Sequence, residues 1–159
     1  MDEELLKLKI PEAASGILKR LKSSGREAYM VGGCVRDMIL GRMPTDWDIA
    51  TSAEPVEVKS LFKKTFDTGI QHGTVTVRQD GESFEVTTFR ADGGYEDFRH
   101  PKEVFFTKDI LEDLKRRDFT MNAVAYDPES GFVDPTGGVE DIKAGIIRGV
   151  GVPAERFRE

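Results

Sequence analysis

Apolar positions near the start of the chain recur at helical spacing. They follow Pro11 and occupy Ala13, Ala14, Ile17, Leu18 and Leu21. A proline suits the first turn of a helix, and the Ser24-Gly25 pair after the last apolar position is typical of a helix end. The pattern therefore predicts an amphipathic helix between Pro11 and Ser24.

The next stretch predicts two short strands that flank a helix. Glu27–Gly32 is apolar at Ala28, Met30 and Val31, which favours a short buried strand. Gly32-Gly33 then ends this strand. Cys34–Leu40 returns to helical spacing and stops before Gly41. After a connector that contains a proline, Asp46–Ala50 predicts a second short strand.

The middle of the chain predicts a helix, a hairpin and a loop. A helix starts at Pro55, with an apolar side made of Val56, Val58, Leu61 and Phe62. Gly73–Arg78 and Ser83–Phe89 alternate in hydrophobicity around a polar turn and form the clearest β-hairpin. The polar, glycine-containing Asp92–Pro101 predicts a mobile loop.

The last third predicts short elements separated by turns. They are a helix over Ile110–Arg117, a helix over Phe119–Val124 capped by Asp118, a strand at Phe132-Val133, a helix over Val139–Ala144 and a strand over Ile146–Arg148. The whole pattern predicts a mixed α/β (α+β) fold with a mixed or antiparallel sheet flanked by helices. A doubly wound parallel sheet is not expected.

Composition narrows the class of protein. A length of 159 residues predicts a single domain, and a lone Cys34 excludes an internal disulfide or a cysteine zinc site. The acidic opening MDEELLKLKI does not resemble a signal peptide, and no apolar run approaches the ~20 residues that span a bilayer. We therefore expect a cytoplasmic protein without a membrane partner. A net charge of −6 argues against a surface that binds nucleic acid throughout.

Two aspartates in the second predicted strand are the first candidate site. In a strand, Asp46 and Asp48 would lie on one face, roughly 6.5–7 Å apart, while Trp47 turns into the core. Carboxylates held in this way suit Mg²⁺, and a pair of such ions supports transfer of a phosphoryl or nucleotidyl group. Glu85 is the candidate third carboxylate because it alternates with Phe84 and Val86. The alternative is that the aspartates form turns or caps and that Glu85 faces solvent.

The diglycine turn is a candidate phosphate site. Gly32-Gly33 between a strand and a helix lets main-chain N–H groups approach an anion, and Arg36 lies one turn into the helix. The alternative is a plain tight turn in which Arg36 pairs with Asp37 or Asp46. No Gly-Lys-Ser/Thr follows, so a P-loop is excluded.

The segment RRDFTMNA is a second candidate binding region. Arg117 is suited to phosphate, and Asp118 and Asn122, four residues apart on a predicted helix, would face one side and reach a sugar. The alternative is a capping Asp118, a buried Asn122 that bonds the backbone, and solvent-facing arginines. His72 and His100 share no ligand spacing with Cys34, so neither a zinc site nor a Ser-His-Asp triad is expected.

Six ordered motifs resemble one family. They are VGGCVRD, TDWDIAT, FEVTTFR, DGGYEDFRHP, LKRRDFTMNA and VDPTGG, and the resemblance covers about Ala28 to Glu159. In this order they resemble the bacterial tRNA nucleotidyltransferases, which comprise the CCA-adding enzymes and the related poly(A) polymerases. The resemblance implies a DNA-polymerase-beta-like nucleotidyltransferase fold and template-independent transfer of a nucleoside monophosphate from ATP or CTP to a tRNA 3′ end.

The resemblance also assigns roles to individual residues. By position in the motifs, Asp46 and Asp48 match the metal-binding pair of a two-metal Mg²⁺ site, and Glu85 matches its third carboxylate. The nucleotide-binding residues implied are Gly33, Arg36, Arg117, Asp118 and Asn122. Tyr95–Pro101 resembles the flexible loop that family members use when AMP is added, which favours a CCA- or A-adding specificity.

The chain departs from the family pattern at its C-terminus. Family enzymes continue from a segment like Arg156–Glu159 into the motif that selects the incoming base and then into the domains that grip tRNA. Residues 1–159 are therefore expected to be one catalytic head domain, cut before the neck helix. Two alternatives remain open: the head of a poly(A) polymerase, and a nucleotide-binding module without turnover.

Overall fold

The fold is a mixed sheet with helices on both faces. The computed structural model describes residues 10–92 and 104–150. Its helices are α1 (Glu12–Ser23), α2 (Gly33–Ile39), α3 (Pro55–Leu61), α4 (Ile110–Lys115) and α5 (Gly138–Ala144), with 3₁₀ turns at Ile70–His72 and Thr120–Asn122. Its strands are β1 (Ala28–Val31), β2 (Asp48–Thr51), β3 (Thr65–Gly69), β4 (Thr74–Gln79), β5 (Glu82–Thr88), β6 (Arg90–Asp92), β7 (Val104–Phe106), β8 (Ala125–Asp127) and β9 (Gly131–Val133).

Seven strands form one sheet in the order β3-β4-β5-β2-β1-β8-β9. β2 and β5 pair in parallel, whereas the other neighbours are antiparallel. β6 and β7 form a separate two-stranded ribbon. The arrangement confirms the predicted mixed, largely antiparallel sheet.

Each face of the sheet carries its own apolar cluster. On one face α1, α2 and α3 pack on side chains that include Met30, Ile49 and Val86. On the other, α4 packs through Ile110 and Leu114 against a smaller cluster that includes Val31, Ala50 and Phe89. Burying apolar side chains on both faces is what holds these short elements in place, since none is long enough to be stable alone.

The strongest sequence patterns are confirmed. α1 buries all five of its predicted apolar positions, Ala13, Ala14, Ile17, Leu18 and Leu21. The hairpin turns at Asp80-Gly81, where both residues have positive φ (53° and 80°). A two-residue turn with this conformation matches the right-handed twist of the strands that flank it. Trp47 is 7% exposed and lies in the core, as predicted.

The strand predicted over Asp46–Ala50 starts two residues late. β2 begins at Asp48, which pairs with Val31, the last residue of β1. Because β1 ends there and the chain turns away at Gly32, no partner on that side extends the strand back to Asp46. Asp46 therefore lies in the bend before β2, and the strand argument for its shared face with Asp48 is wrong.

The helix predicted over Phe119–Val124 and the strand over Ile146–Arg148 are also wrong. Phe119 is extended and forms an isolated bridge with Gly149, while Thr120 N–H bonds the Arg148 carbonyl. This pairing with a distant segment leaves only a 3₁₀ turn at Thr120–Asn122, whose N-cap residue is Phe119 rather than Asp118. Residues 146–148 form no strand of their own.

Other differences concern elements with weak patterns. The predictions omitted β3, β6, β7 and β8, and they placed Val56 on the apolar side of α3, although it is 77% exposed. The predicted loop over Asp92–Pro101 lies outside the described residues, except for Asp92, which ends β6. Among the helices that the structure describes, none has the length and apolar character needed to span a membrane.

Candidate functional site

The parallel pair of β2 and β5 brings two carboxylates together. Asp48, at the start of β2, is in register with Glu85 on β5 and with Val31 on β1. Paired positions share a face of the sheet, so both side chains lie on the face of Val31 rather than on that of Ile49 and Val86. Glu85 is exposed, and its Oε2 accepts a hydrogen bond from the Thr76 hydroxyl at 2.9 Å.

Asp48 is electrostatically crowded. Burial raises the pKa of its carboxyl group, and the negative charges of Glu85 and Asp46 raise it further, against a smaller lowering by Arg117. Asp46 is thus close enough to act on Asp48 although it precedes the strand. The bend at Thr45-Asp46, rather than strand alternation, places it there.

The three acidic residues Asp46, Asp48 and Glu85 do not form a complete metal-binding site. Within residues 10–92 and 104–150, no three His, Cys, Asp or Glu side chains converge as metal ligands would. The acidic neighbours of Asp48, which are Glu85 and Asp46, nevertheless carry carboxylates, the class of ligand that hard cations such as Mg²⁺ prefer. Their mutual repulsion is the kind that a divalent cation relieves.

The diglycine turn lies directly beside these acids. Gly32 has a φ of +76°, which favours glycine, and a Cβ there would stand 3.9 Å from both Asp48 Oδ2 and Arg117 Nη1. A Cβ on Gly33 would stand 3.2 Å from Arg36 Nη2. The diglycine turn therefore lies close to Asp48 and to two arginines, Arg36 and Arg117.

Arg36 connects α2 to the 3₁₀ turn. Its Nη1 donates to Asn122 Oδ1 at 3.2 Å, and its Nε lies 3.5 Å from Asp37 Oδ1. Arg36 thus pairs with Asp37, as the alternative of a plain tight turn predicts. The contact with Asn122 was not expected, and it shows that two candidates 86 residues apart meet.

Arg117 is held by a buried carboxylate. Its Nη2 and Nε donate to Asp113 Oδ1 at 2.9 and 3.3 Å, and the Asp113 side chain is 2% exposed. The alternative in which Arg117 faces solvent is therefore wrong. Asp118, by contrast, is exposed, and its main-chain carbonyl accepts a bond from Val150 N–H instead of starting a helix.

Two contacting residues were missed by sequence reasoning. Asp113 precedes Arg117 by four positions on a predicted helix, and this spacing was an available signal for an ion pair. Thr76, which bonds Glu85, gave no comparable signal, because its partner is set by the register of the hairpin.

Cys34 has the structural role that was expected. It is 2% exposed, and its Sγ donates to the Val31 carbonyl at 3.2 Å. Burial raises the pKa of its thiol to about 11, so the thiolate nucleophile is scarce at neutral pH.

Comparison with known families agrees with this geometry. Residues 28–148 match the family model described as "Poly A polymerase head domain", which covers most of the chain and includes every candidate site residue. The chain belongs to the poly(A) polymerase head domain family. This confirms the resemblance seen in the six motifs and the nucleotidyltransferase fold expected from it.

Curated relatives of this head domain are similar over nearly all of the chain. The CCA-adding enzyme of Lactobacillus johnsonii is 54% identical over 147 residues, which is 92% of this chain and 37% of that protein. The CCA-adding enzyme of Geobacillus kaustophilus is 56% identical over 148 residues, or 93% of this chain and 37% of that protein. The chain thus spans little more than a third of the length of these relatives.

Solved structures with the same head fold include complexes. The Bacillus stearothermophilus CCA-adding enzyme in complex with CTP matches with a TM-score of 0.81 and 50% identity, over 92% of this chain and 35% of that one. The Thermotoga maritima CCA-adding enzyme complexed with tRNA matches with a TM-score of 0.67 and 25% identity, over 93% of this chain and 35% of that one.

Proposed function

We propose that residues 1–159 form one catalytic head domain of a CCA-adding tRNA nucleotidyltransferase. Its reaction is the transfer of CMP and AMP from CTP and ATP to the 3′ end of tRNA. The observation that carries the proposal is the position of Asp48 and Glu85, side by side on adjacent strands, next to an arginine-bearing diglycine turn. A cytoplasmic location follows from a tRNA substrate.

Three carboxylates are assigned to metal binding. Asp46 and Asp48 would hold Mg²⁺, with Glu85 as the third ligand of a two-metal site, and this assignment fits a donor set made only of carboxylates. When bound, Mg²⁺ activates the attacking hydroxyl and stabilises the departing pyrophosphate. Thr76 holds Glu85 from the neighbouring strand and so restricts its rotamers.

The residues around the diglycine turn are assigned to the nucleotide. Arg36 and Arg117 would bind triphosphate oxygens, and the main chain at Gly33 would approach the same phosphates closely. Asn122, fixed by Arg36, is assigned with Asp118 to the sugar. These groups orient the α-phosphorus towards the RNA 3′-hydroxyl, whose oxygen displaces pyrophosphate.

The named relatives favour CCA addition over poly(A) synthesis. Both curated relatives described above are CCA-adding enzymes, whereas the family model carries the poly(A) polymerase name. The alternative functions keep the same site. A poly(A) polymerase head would use ATP alone, and a nucleotide-binding module would bind without transfer.

A transfer assay separates these functions. The chain is incubated with MgCl₂, a tRNA that lacks its terminal CCA, and either labelled CTP or labelled ATP, and the products are resolved on a sequencing gel. The proposed activity predicts that only a few CMP or AMP residues are added to the 3′ end of this tRNA. A long A tail on any RNA would favour the poly(A) polymerase.

The control is the double variant Asp46→Asn/Asp48→Asn. It preserves side-chain volume, so it is expected to fold while giving no product. Nucleotide binding without any product in the wild type would favour the binding module. Product from the double variant at the wild-type rate would contradict the assignment of the two aspartates.

A further inference from the structure

Asp113 is a buried carboxylate on α4 that contacts the start of β6. The whole residue is 1% exposed and its side chain is 2% exposed. Its Oδ1 accepts from Nη2 and Nε of Arg117, and its Oδ2 accepts from the main-chain N–H of Arg90 at 2.8 Å. Three donors thus offset the cost of burying this charge.

The bond geometry fixes the direction of Arg117. Nε and Nη2 form one edge of the planar guanidinium, and Asp113 takes that entire edge. The remaining nitrogen, Nη1, lies 3.9 Å from the point where a Cβ on Gly32 would stand. Because the group is planar, holding one edge determines where the opposite nitrogen points.

The second oxygen of Asp113 ties this arrangement to the acidic strand. Arg90 begins β6, two residues after β5, the strand that carries Glu85. Burial and the neighbouring Arg116 lower the pKa of Arg90, and the charge of Asp113 opposes that effect. The Asp113 carboxylate therefore holds both the Arg117 side chain and the main chain at Arg90, just after β5. Its negative charge also offsets the repulsion between Arg90 and the neighbouring Arg116 and Arg117.

We propose that Asp113 is a positioning residue, which holds Arg117 side-on so that Nη1 faces the Gly32-Gly33 turn and the phosphates of a bound nucleoside triphosphate. The inference rests on the proposed function, since it concerns the same nucleotide site. Asp113 itself touches no substrate. Its removal should leave a folded domain whose Arg117 samples several directions.

Two substitutions test the contact from its two sides. Asp113→Asn keeps the shape but replaces one acceptor with an N–H₂ donor, which then faces either Arg117 or the Arg90 N–H. Arg117→Lys keeps the charge but cannot form the side-on pair. The matched control is Asp127→Asn. Like Asp113, Asp127 is a buried carboxylate that accepts bonds from a cationic side chain, Lys22, and from a main-chain N–H, that of Glu129.

The measurement is ATP affinity by isothermal titration calorimetry in MgCl₂, with thermal unfolding of each variant in parallel. We expect Asp113→Asn and Arg117→Lys each to weaken ATP binding about tenfold, the scale of one charge-assisted contact. The double variant should be no weaker than Arg117→Lys alone, because both changes remove one interaction. Asp127→Asn should lower the unfolding temperature and leave ATP affinity unchanged.

The outcomes separate this inference from the proposed function. Wild-type affinity in Asp113→Asn, or losses that add in full in the double variant, would overturn the positioning role while nucleotide binding stands. Absence of ATP binding in the wild-type chain would overturn the nucleotide site itself. If Asp113→Asn unfolds, Asp113→Glu replaces it; this variant keeps the charge, shifts the carboxylate by one methylene, and is expected to bind about threefold more weakly, again without adding to Arg117→Lys.

Discussion

Two charged regions lie on different strands of the sheet and differ in how their charges are satisfied. Where β8 ends, Lys22 donates to both oxygens of Asp127 and to Glu129, and Asp127 also accepts from the Ser130 hydroxyl. Where β2 begins, Asp48 lies beside Glu85 and Asp46, whose charges oppose its own. In the first region a lysine is paired with both carboxylates, whereas the second accumulates like charge.

The pKa shifts of the two regions express this difference. Burial alone would lower the pKa of Lys22, but its hydrogen bonds to Glu129 and Asp127 outweigh burial and leave that pKa raised. For Asp48, burial and neighbouring carboxylates act together to raise the pKa. Internal pairing that favours the charged form is typical of a structural ion pair, whereas carboxylates that disfavour each other's charge are typical of a site that takes up a cation.

Asp48→Asn is the substitution with the largest expected effect. Losing a metal-binding carboxylate should weaken Mg²⁺-dependent ATP binding by about a thousandfold, roughly 4 kcal/mol. Because the same change removes repulsion, the unfolding temperature without metal should stay the same or rise. Calorimetric titration and thermal unfolding in EDTA check the two halves. A stable variant with normal ATP affinity would remove the contrast between the regions.

Asp127→Ala should have the opposite effects to Asp48→Asn: it should lower stability without changing ATP binding. It removes the more deeply buried of the two carboxylates that bond Lys22, since the Asp127 side chain is 6% exposed, and we expect a loss of about 2–4 kcal/mol in the free energy of unfolding. ATP affinity should be unchanged. Urea unfolding measures the first quantity and calorimetric titration the second. Weaker ATP binding in a folded sample would show that the two regions are coupled.

Asp141 provides an intermediate case with a defined pH dependence. Hydrogen bonds from Arg148 and Thr120 lower the pKa of its carboxyl group below the usual 3.8. Its contribution is therefore complete above the unfolded-state pKa and is lost as the pH falls through the lower folded-state value. Asp141→Asn should cost about 1–2 kcal/mol at pH 7.

Urea unfolding of wild type and Asp141→Asn between pH 3 and pH 7 tests this sign. The difference between the two proteins should stay constant above about pH 5 and shrink below about pH 4. A difference that grows on acidification would contradict the pairing of Asp141 with Arg148.

Glu129→Gln should have the smallest effect. Its side chain is 64% exposed, so solvent screens its ion pair with Lys22, and the expected loss of unfolding free energy is less than about 0.5 kcal/mol. Comparing its urea midpoint with that of Asp127→Ala distinguishes the stabilisation from the exposed Lys22–Glu129 pair from that of the buried Lys22–Asp127 pair. Equal losses in both variants would mean that burial does not determine their contributions.

Sequence patterns predicted the elements that depend on local chemistry. α1 follows from the spacing of five apolar residues, and the β4–β5 hairpin follows from alternation around Asp80-Gly81. β3 was missed because its middle residues, Phe66, Asp67 and Thr68, are exposed and give no alternation. The extended conformation at Phe119 depends on pairing with Gly149, thirty positions away, which no local pattern encodes.

The sequence predicted which residues belong to the candidate site, but it did not predict which of them contact one another. The chain supplied Asp48 and Glu85, but only the parallel pairing of β2 with β5 places them side by side. Likewise, Arg36 and Asn122 were both candidates, yet their hydrogen bond depends on how α2 and the 3₁₀ turn pack. Asp113 is the exception, because its spacing to Arg117 on a helix was readable in advance.

The most direct test of a cation-dependent nucleotide site is the shift in unfolding temperature that CTP produces with and without MgCl₂. It is measured in the wild-type chain, in Asp46→Asn/Asp48→Asn, and in Asp127→Asn as the control. We predict a shift that requires MgCl₂, survives in Asp127→Asn and disappears in the double variant. A shift that is independent of MgCl₂, or that persists in the double variant, would contradict the assignment of the acidic region to metal and nucleotide binding.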